Sequence, residues 1–174
     1  MFLILILSLW NLSQAKTKVF VVPHSHSDAG WLVNIDENYN SLCKNVLNNV
    51  YNLLKDQPSL KFCWAEILYL AKWLEEYPEK KAGLIEFIQQ GRFEIVGGGW
   101  VQNDEALPDF ELVLHQMEAG FEYVKRELNV TKIPIGWQID AYGHSTLTPS
   151  LFSKLGMNVL VFARLSDKTK VFTI

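Results

Sequence analysis

Little in this sequence points to a polyanionic partner. Lysine and arginine total 16 against 19 aspartates and glutamates, a net charge of −3 over 174 residues. No basic face stands out, so the electrostatic footprint of a nucleic-acid binder is missing. Cysteine is scarce: Cys43 and Cys63 are the two in the chain, too few for a disulfide-built scaffold. There is no internal repeat, no low-complexity tract and no Gly/Ser linker, which excludes a solenoid or a string of tethered domains. Long apolar runs are absent too. The N-terminal MFLILILSLW spans about ten residues, too short for a stable membrane span.

What remains is an ordinary globular composition, 49% hydrophobic and 20% charged, with enough apolar mass for one core. Ten phenylalanines and six tryptophans make it rich in aromatics. Core packing takes most of them, and the rest are platforms for sugar rings or other flat ligands.

Residues 1–15 read as a cleaved signal peptide. The apolar run is followed by NLSQA, with Ser13 and Ala15 at the −3 and −1 places of a cleavage site. A positive n-region is missing, and a buried first strand is the alternative. The secretory route makes Asn129-Val130-Thr131 a glycosylation acceptor at Asn129. Asn11-Leu12-Ser13 also matches but would leave with the signal. Cys43 and Cys63 either pair in an oxidising lumen or remain two buried thiols. A lysosomal, vacuolar or secreted destination fits such a signal. A Golgi-resident protein would more often carry a longer anchor.

The rest alternates strand and helix. KVFVV (18–22), LKFCW (60–64), RFEIV (92–96), IPIGWQI (133–139) and MNVLVFA (157–163) are apolar runs of strand length, and VFTI begins another. Between them, apolar residues recur at helical spacing. Leu42, Val46, Val50, Leu53 and Leu54 line a helix over 38–55, and a second should stop before Pro78. A third covers 80–90 with Gly91 as its cap. Pro108 opens a long one lined by Phe110, Val113, Leu114, Met117, Phe121, Val124 and Leu128, and a short one covers 148–155. The expectation is an α/β fold with a mainly parallel, β/α-barrel-like sheet surrounded by helices, incomplete in this chain.

Such folds collect functional groups past the C-terminal ends of their strands. The sequence does so each time. His24, His26, Asp28 and Trp31 follow the first strand, and Glu66 the second. Trp100, Asn103, Asp104 and Glu105 follow the third. Asp140, Tyr142 and His144 follow the fourth, and Arg164 and Asp167 the fifth. If the first segment stays extended, His24, His26 and Asp28 point the same way. Imidazole and carboxylate together suit zinc, with cobalt or manganese possible. The plain alternative is a histidine pair bonding loop backbone. Asp140 is either a helix cap or a further ligand or nucleophile. His24, His144, Asp104 and Glu105 are candidates for supporting the ligands from behind, though Asp104 and Glu105 could equally start a turn before Pro108. The triple glycine 97–99 fits a tight turn or a close backbone approach.

HSHSDAGW, AEILYLAKW, GRFEIVGGGWVQNDEA and GWQIDAYGHS, in this order and spacing, resemble the family 38 glycoside hydrolases, the α-mannosidases. The resemblance covers residues 18 to about 168. It implies zinc-dependent, retaining hydrolysis of α-mannosides on N-glycans. It implies His26, Asp28 and Asp140 as zinc ligands, with Asp140 also the nucleophile. Trp31 would wall the sugar subsite, Tyr142 would line the pocket where the family usually has Phe, and Arg164 would stand near the nucleophile. His24, a third ligand on spacing alone, is not one by resemblance. Ala141 replaces a proline common in the family. The family's fourth zinc ligand and its acid/base lie farther downstream. Residues 16–174 are thus expected to be the N-terminal portion of a catalytic domain, needing the missing C-terminal part of the same protein and showing little turnover alone. Two other readings stand beside this one. They are a different metallohydrolase of deacetylase or amidohydrolase type, and a non-catalytic glycan-binding or vestigial protein.

Overall fold

A computed structural model describes residues 18–165. The signal-peptide segment, Asp167 and the VFTI run lie outside the described residues. The first helix starts earlier than its apolar pattern implies, because Asn34 and Glu37 form a reciprocal cap. The Glu37 amide donates to Asn34 Oδ1 at 2.9 Å and the Asn34 amide to the Glu37 carboxylate at 3.2 Å. Helix α1 (Ile35–Asn38) runs through a π-helical turn, Tyr39–Cys43, into α2 (Lys44–Asp56). That turn takes an extra residue. Tyr39, Cys43, Leu47, Val50 and Leu54 are buried, while Leu42 and Leu53, expected inside, are half-exposed.

Strand β1 (Phe62–Trp64) leads into α3 (Ile67–Glu76). A 3₁₀ turn (Pro78–Lys80) and α4 (Lys81–Gln89) follow, then β2 (Phe93–Ile95). The long helix α5 (Phe110–Leu128) begins one residue beyond Asp109, whose carboxylate accepts from the Glu111 amide at 2.8 Å. Asp109→Ala should therefore cost about 1 kcal/mol of stability, read from chemical denaturation. An unchanged midpoint would show that the cap is redundant. Asn129 ends α5 at φ 58°, a left-handed conformation that asparagine tolerates better than most residues. Then come β3 (Ile135–Gln138), α6 (Leu147–Lys154) and β4 (Val159–Phe162).

The sheet is parallel and sequential. Phe62 lies opposite Phe93 in the β1–β2 ladder, and Ile135 opposite Val159 in the β3–β4 ladder. The Gly97 amide, just past β2, donates to the Ile135 carbonyl at 2.8 Å and links the two pairs. The described strands thus form two ladders in chain order, and a barrel-like arrangement is not reached within them. The buried first strand expected over 18–22 is not found. Phe20 and Val21 are 73% and 85% exposed. The segment touches the sheet through one parallel bridge, His24 to Cys63, with the Cys63 amide donating to the Pro23 carbonyl at 2.9 Å. Its composition suits a two-sided interior, but Pro23 has no amide to donate, and no described element covers its faces.

The main core packs α2, α3 and α4 over β1 and β2, with Trp64, Tyr69, Trp73 and Phe93 at its centre. Cys43 and Cys63 are free thiols, one buried and one half-buried. The triple glycine has two demands on it. Gly97 and Gly98 take φ 67° and 76°, which residues with a Cβ seldom adopt. The same turn lies against α5 at Gly120, where an added Cβ would sit 2.1 Å from the Gly98 carbonyl oxygen.

Candidate active site

The bridge at His24 carries the chain past the end of β1, and the loop beyond it brings His26 and Asp28 together. The Asp28 carbonyl accepts from Asn38 Nδ2 and from the Tyr69 hydroxyl, each at 2.9 Å. Both bonds fix the loop backbone at Asp28. Asp140 arrives from the end of β3. His26 Nε2 lies 3.1 Å from Asp28 Oδ1 and 3.4 Å from Asp140 Oδ2. One ligand atom from each of the three residues falls within 4.8 Å of the others.

This donor set fits a metal ion. Two carboxylates converge on the same imidazole nitrogen, and nitrogen plus oxygen donors suit zinc. All three side chains are partly exposed, so the group keeps an open side, as a catalytic rather than a structural ion requires. His24 is outside the group. Its ring packs edge-on against Trp137 with centroids 5.2 Å apart, and its Nδ1 lies 3.3 Å from the Ser25 carbonyl. The i, i+2, i+4 argument needs all three side chains on one side of the chain, and His24 turns to Trp137 instead.

Behind His26 stands Glu66, at the N-terminus of α3. Its side chain is 1% exposed, with Oε1 3.7 Å from His26 Nδ1 and 3.2 Å from the Ser27 amide that donates to it. Burial pushes its carboxyl up to about 7, against the opposing pull of the Ser27 amide and of His26. His26 Nδ1 and Glu66 Oε2 have no hydrogen-bond partner among the described residues. Glu66 stands in the sequence among the residues that follow the strands, but with no role assigned; its place behind His26 comes from the fold.

Arg164, past β4, donates from its guanidinium to Asp140 Oδ1. It does so from φ 57°, a backbone region that a residue with a Cβ occupies only when its surroundings impose it. Trp31 and Tyr142 are exposed, at 74% and 60%, while Ala141 between the nucleophile candidate and Tyr142 is buried. Asp104 is exposed and only its carbonyl is engaged, by Asn103 Nδ2. The buried carboxylate of that loop is Glu105, which contacts His144 at 2.9 Å. Asn129 sits exposed at the end of α5. A surface cavity runs along α5 past Phe110, Leu114, Phe121, Ile133 and Leu155 and includes none of the residues of the metal-type group.

Residues 16–172 match the family described as Glycosyl hydrolases family 38 N-terminal domain. Alpha-mannosidase C of Dictyostelium discoideum is 40% identical over 158 residues, covering 90% of this chain and 15% of that protein. Alpha-mannosidase 2 of Drosophila melanogaster is 40% identical over 150 residues, covering 86% of this chain and 13% of that protein. The chain therefore spans about a seventh of the length of these relatives. A crystal structure of an alpha-mannosidase from Enterococcus faecalis V583 superposes with a TM-score of 0.73 over 84% of this chain and 16% of the other. At 24% identity that likeness is one of fold. With a family match across nearly its whole length and relatives at 40% identity, this chain belongs to glycoside hydrolase family 38.

Proposed function

We propose that the full-length protein carrying this chain is a zinc-dependent, retaining α-mannosidase acting on terminal α-mannose of N-glycans or related mannosides. The observation that carries the proposal is the convergence of His26, Asp28 and Asp140, with Arg164 on the free side of the Asp140 carboxylate. His26 Nε2 and the two carboxylates would hold the ion. Bound there, zinc supplies Lewis-acid polarisation and a template for sugar hydroxyls. Asp140 attacks the anomeric carbon, and its carboxylate forms the covalent glycosyl-enzyme that water later hydrolyses. Arg164 orients that carboxylate through Oδ1, while Oδ2 faces His26. Trp31 stacks on an apolar sugar face, and Tyr142 closes the far wall. The acid that protonates the leaving oxygen, about 5–5.5 Å from the nucleophile in such mechanisms, would come from another part of the protein. The later strands that complete a barrel-like sheet would come from there too. A signal peptide over residues 1–15, glycan attachment at Asn129 and a lysosomal, vacuolar or secreted location complete the reading.

The test is hydrolysis of an aryl α-mannoside by the full-length protein, before and after chelation and with zinc restored. Activity that is lost and returns with zinc is expected. Metal-independent activity, or zinc-dependent mannose binding without turnover, overturns the reading. Separately, His26→Ala should weaken zinc binding by more than the ~10–100-fold that a merely supporting residue costs, measured by equilibrium dialysis. Unchanged zinc binding would remove His26 from the ligand set.

A further inference from the structure

Glu105 lies in the loop between β2 and α5, and its side chain is 2% exposed. Three donors from the segment after β3 converge on it: His144 Nδ1 at 2.9 Å, the Ser145 amide at 2.8 Å and the Thr148 hydroxyl at 2.6 Å. The other ring nitrogen, His144 Nε2, lies 2.7 Å from the Ala163 carbonyl. Both nitrogens thus face acceptors. A neutral imidazole has one N–H, and only the imidazolium can donate to both. Burial works against that charge, and the bonds to Ala163 and Glu105 outweigh it, so the imidazole pKa is raised above its ordinary value. Among the described residues Glu105 is the charged group facing the ring, and Phe162 packs edge-on against it at 5.3 Å.

The grip on Ala163 matters because the next residue is Arg164. Its left-handed backbone requires outside support, and its guanidinium is bonded to Asp140. We propose that Glu105 and His144 are positioning residues: Glu105 anchors His144, which holds the Ala163 carbonyl and so keeps Arg164 in the turn that sets its guanidinium on Asp140. The inference rests on the reading of Asp140 as nucleophile. The clamp also ties the loop after β2 to the ends of β3 and β4, three successive stretches of the same edge.

The clamp has a pH sign. A histidine whose folded pKa is raised holds its contribution below the ordinary imidazole value and loses it as pH rises through the folded one. The experiment compares full-length wild type with His144→Gln and Glu105→Gln, reading kcat on an aryl α-mannoside against pH. The ratio of wild-type to variant kcat cancels every limb the two share. For His144→Gln it should be roughly tenfold near pH 6 and fall toward one as pH rises, with zinc content unchanged. Glu105→Gln should cost far less in an Arg164→Ala background than in wild type. A ratio that stays flat with pH, or fully multiplicative effects of Glu105→Gln and Arg164→Ala, overturns the clamp. The melting temperature gives a readout free of activity and covers a variant that folds poorly. The wild-type advantage over His144→Gln should shrink with rising pH, and a constant difference also overturns the clamp. An inactive wild type would sink the mannosidase reading, whereas an active one with a flat ratio would sink the clamp alone.

Discussion

Asp140→Asn in the full-length protein is expected to lower kcat on an aryl α-mannoside by about 10⁴-fold or more. The substitution keeps the shape and removes the charge. An amide cannot displace an anomeric leaving group, so the route through a covalent glycosyl-enzyme closes. The same change touches two neighbours. It weakens the pairing with Arg164, and it takes one of two carboxylates from beside His26 Nε2. Zinc content should therefore fall along with turnover, which makes it necessary to measure kcat at saturating zinc. Mass spectrometry of a trapped glycosyl adduct supplies the second half of the test, with the label expected on the peptide carrying Asp140. A zinc-loaded variant retaining more than about a hundredth of wild-type kcat would place the nucleophile elsewhere.

Gly120→Ala should be among the most damaging single-methyl changes in the chain. The new Cβ would stand 2.1 Å from the Gly98 carbonyl oxygen, 2.7 Å from the Gly99 carbonyl carbon and 2.8 Å from the Trp100 amide nitrogen. All three are backbone atoms, so no side chain can swing aside. Helix α5 and the glycine turn would have to separate, straining the bond from the Trp100 amide to the Gln116 carbonyl. A loss of at least about 3 kcal/mol is expected, the upper range for overpacking, despite the better helix propensity of alanine. Gly143→Ala is the control. No atom lies within 4 Å of its added Cβ, and the change should stay within about 0.5 kcal/mol. Equal denaturation midpoints for the two variants would show that the contact at Gly120 relaxes without cost. The turn also carries Gln102, bonded to the Trp137 carbonyl, and leads to Glu105, so Gly120→Ala should disturb the strand-end edge as well as the core.

The helices and most strands were legible in the sequence because they depend on local chemistry. Apolar spacing at the helical period, Pro78 stopping α3 and Gly91 after α4 act over a few residues each. So do the motifs that carry the family, since HSHSD and GWQIDAYGHS are contiguous. Residues 18–22 show where local signals stop. KVFVV has the composition of a buried strand, but burial belongs to whatever covers its faces, and the described fold leaves it open. Leu42 and Leu53 fit a helical stripe on spacing, but the buried face runs through Cys43, Leu47, Val50 and Leu54 and leaves both at its margin.

The site divides the same way. Sequence alone determined that ligand-type residues follow each strand, and that His26, Asp28 and Asp140 belong to one recurring pattern. Only the tertiary structure decided that His24 packs on Trp137, that Glu66 rather than solvent lies behind His26, and that Glu105 rather than Asp104 is the buried carboxylate of its loop. Adjacent residues such as Asp104 and Glu105 carry the same charge and similar reach, so no local rule separates them. The choice falls to the donors of a segment some forty residues away, His144, Ser145 and Thr148, which converge on one carboxylate and leave its neighbour in water.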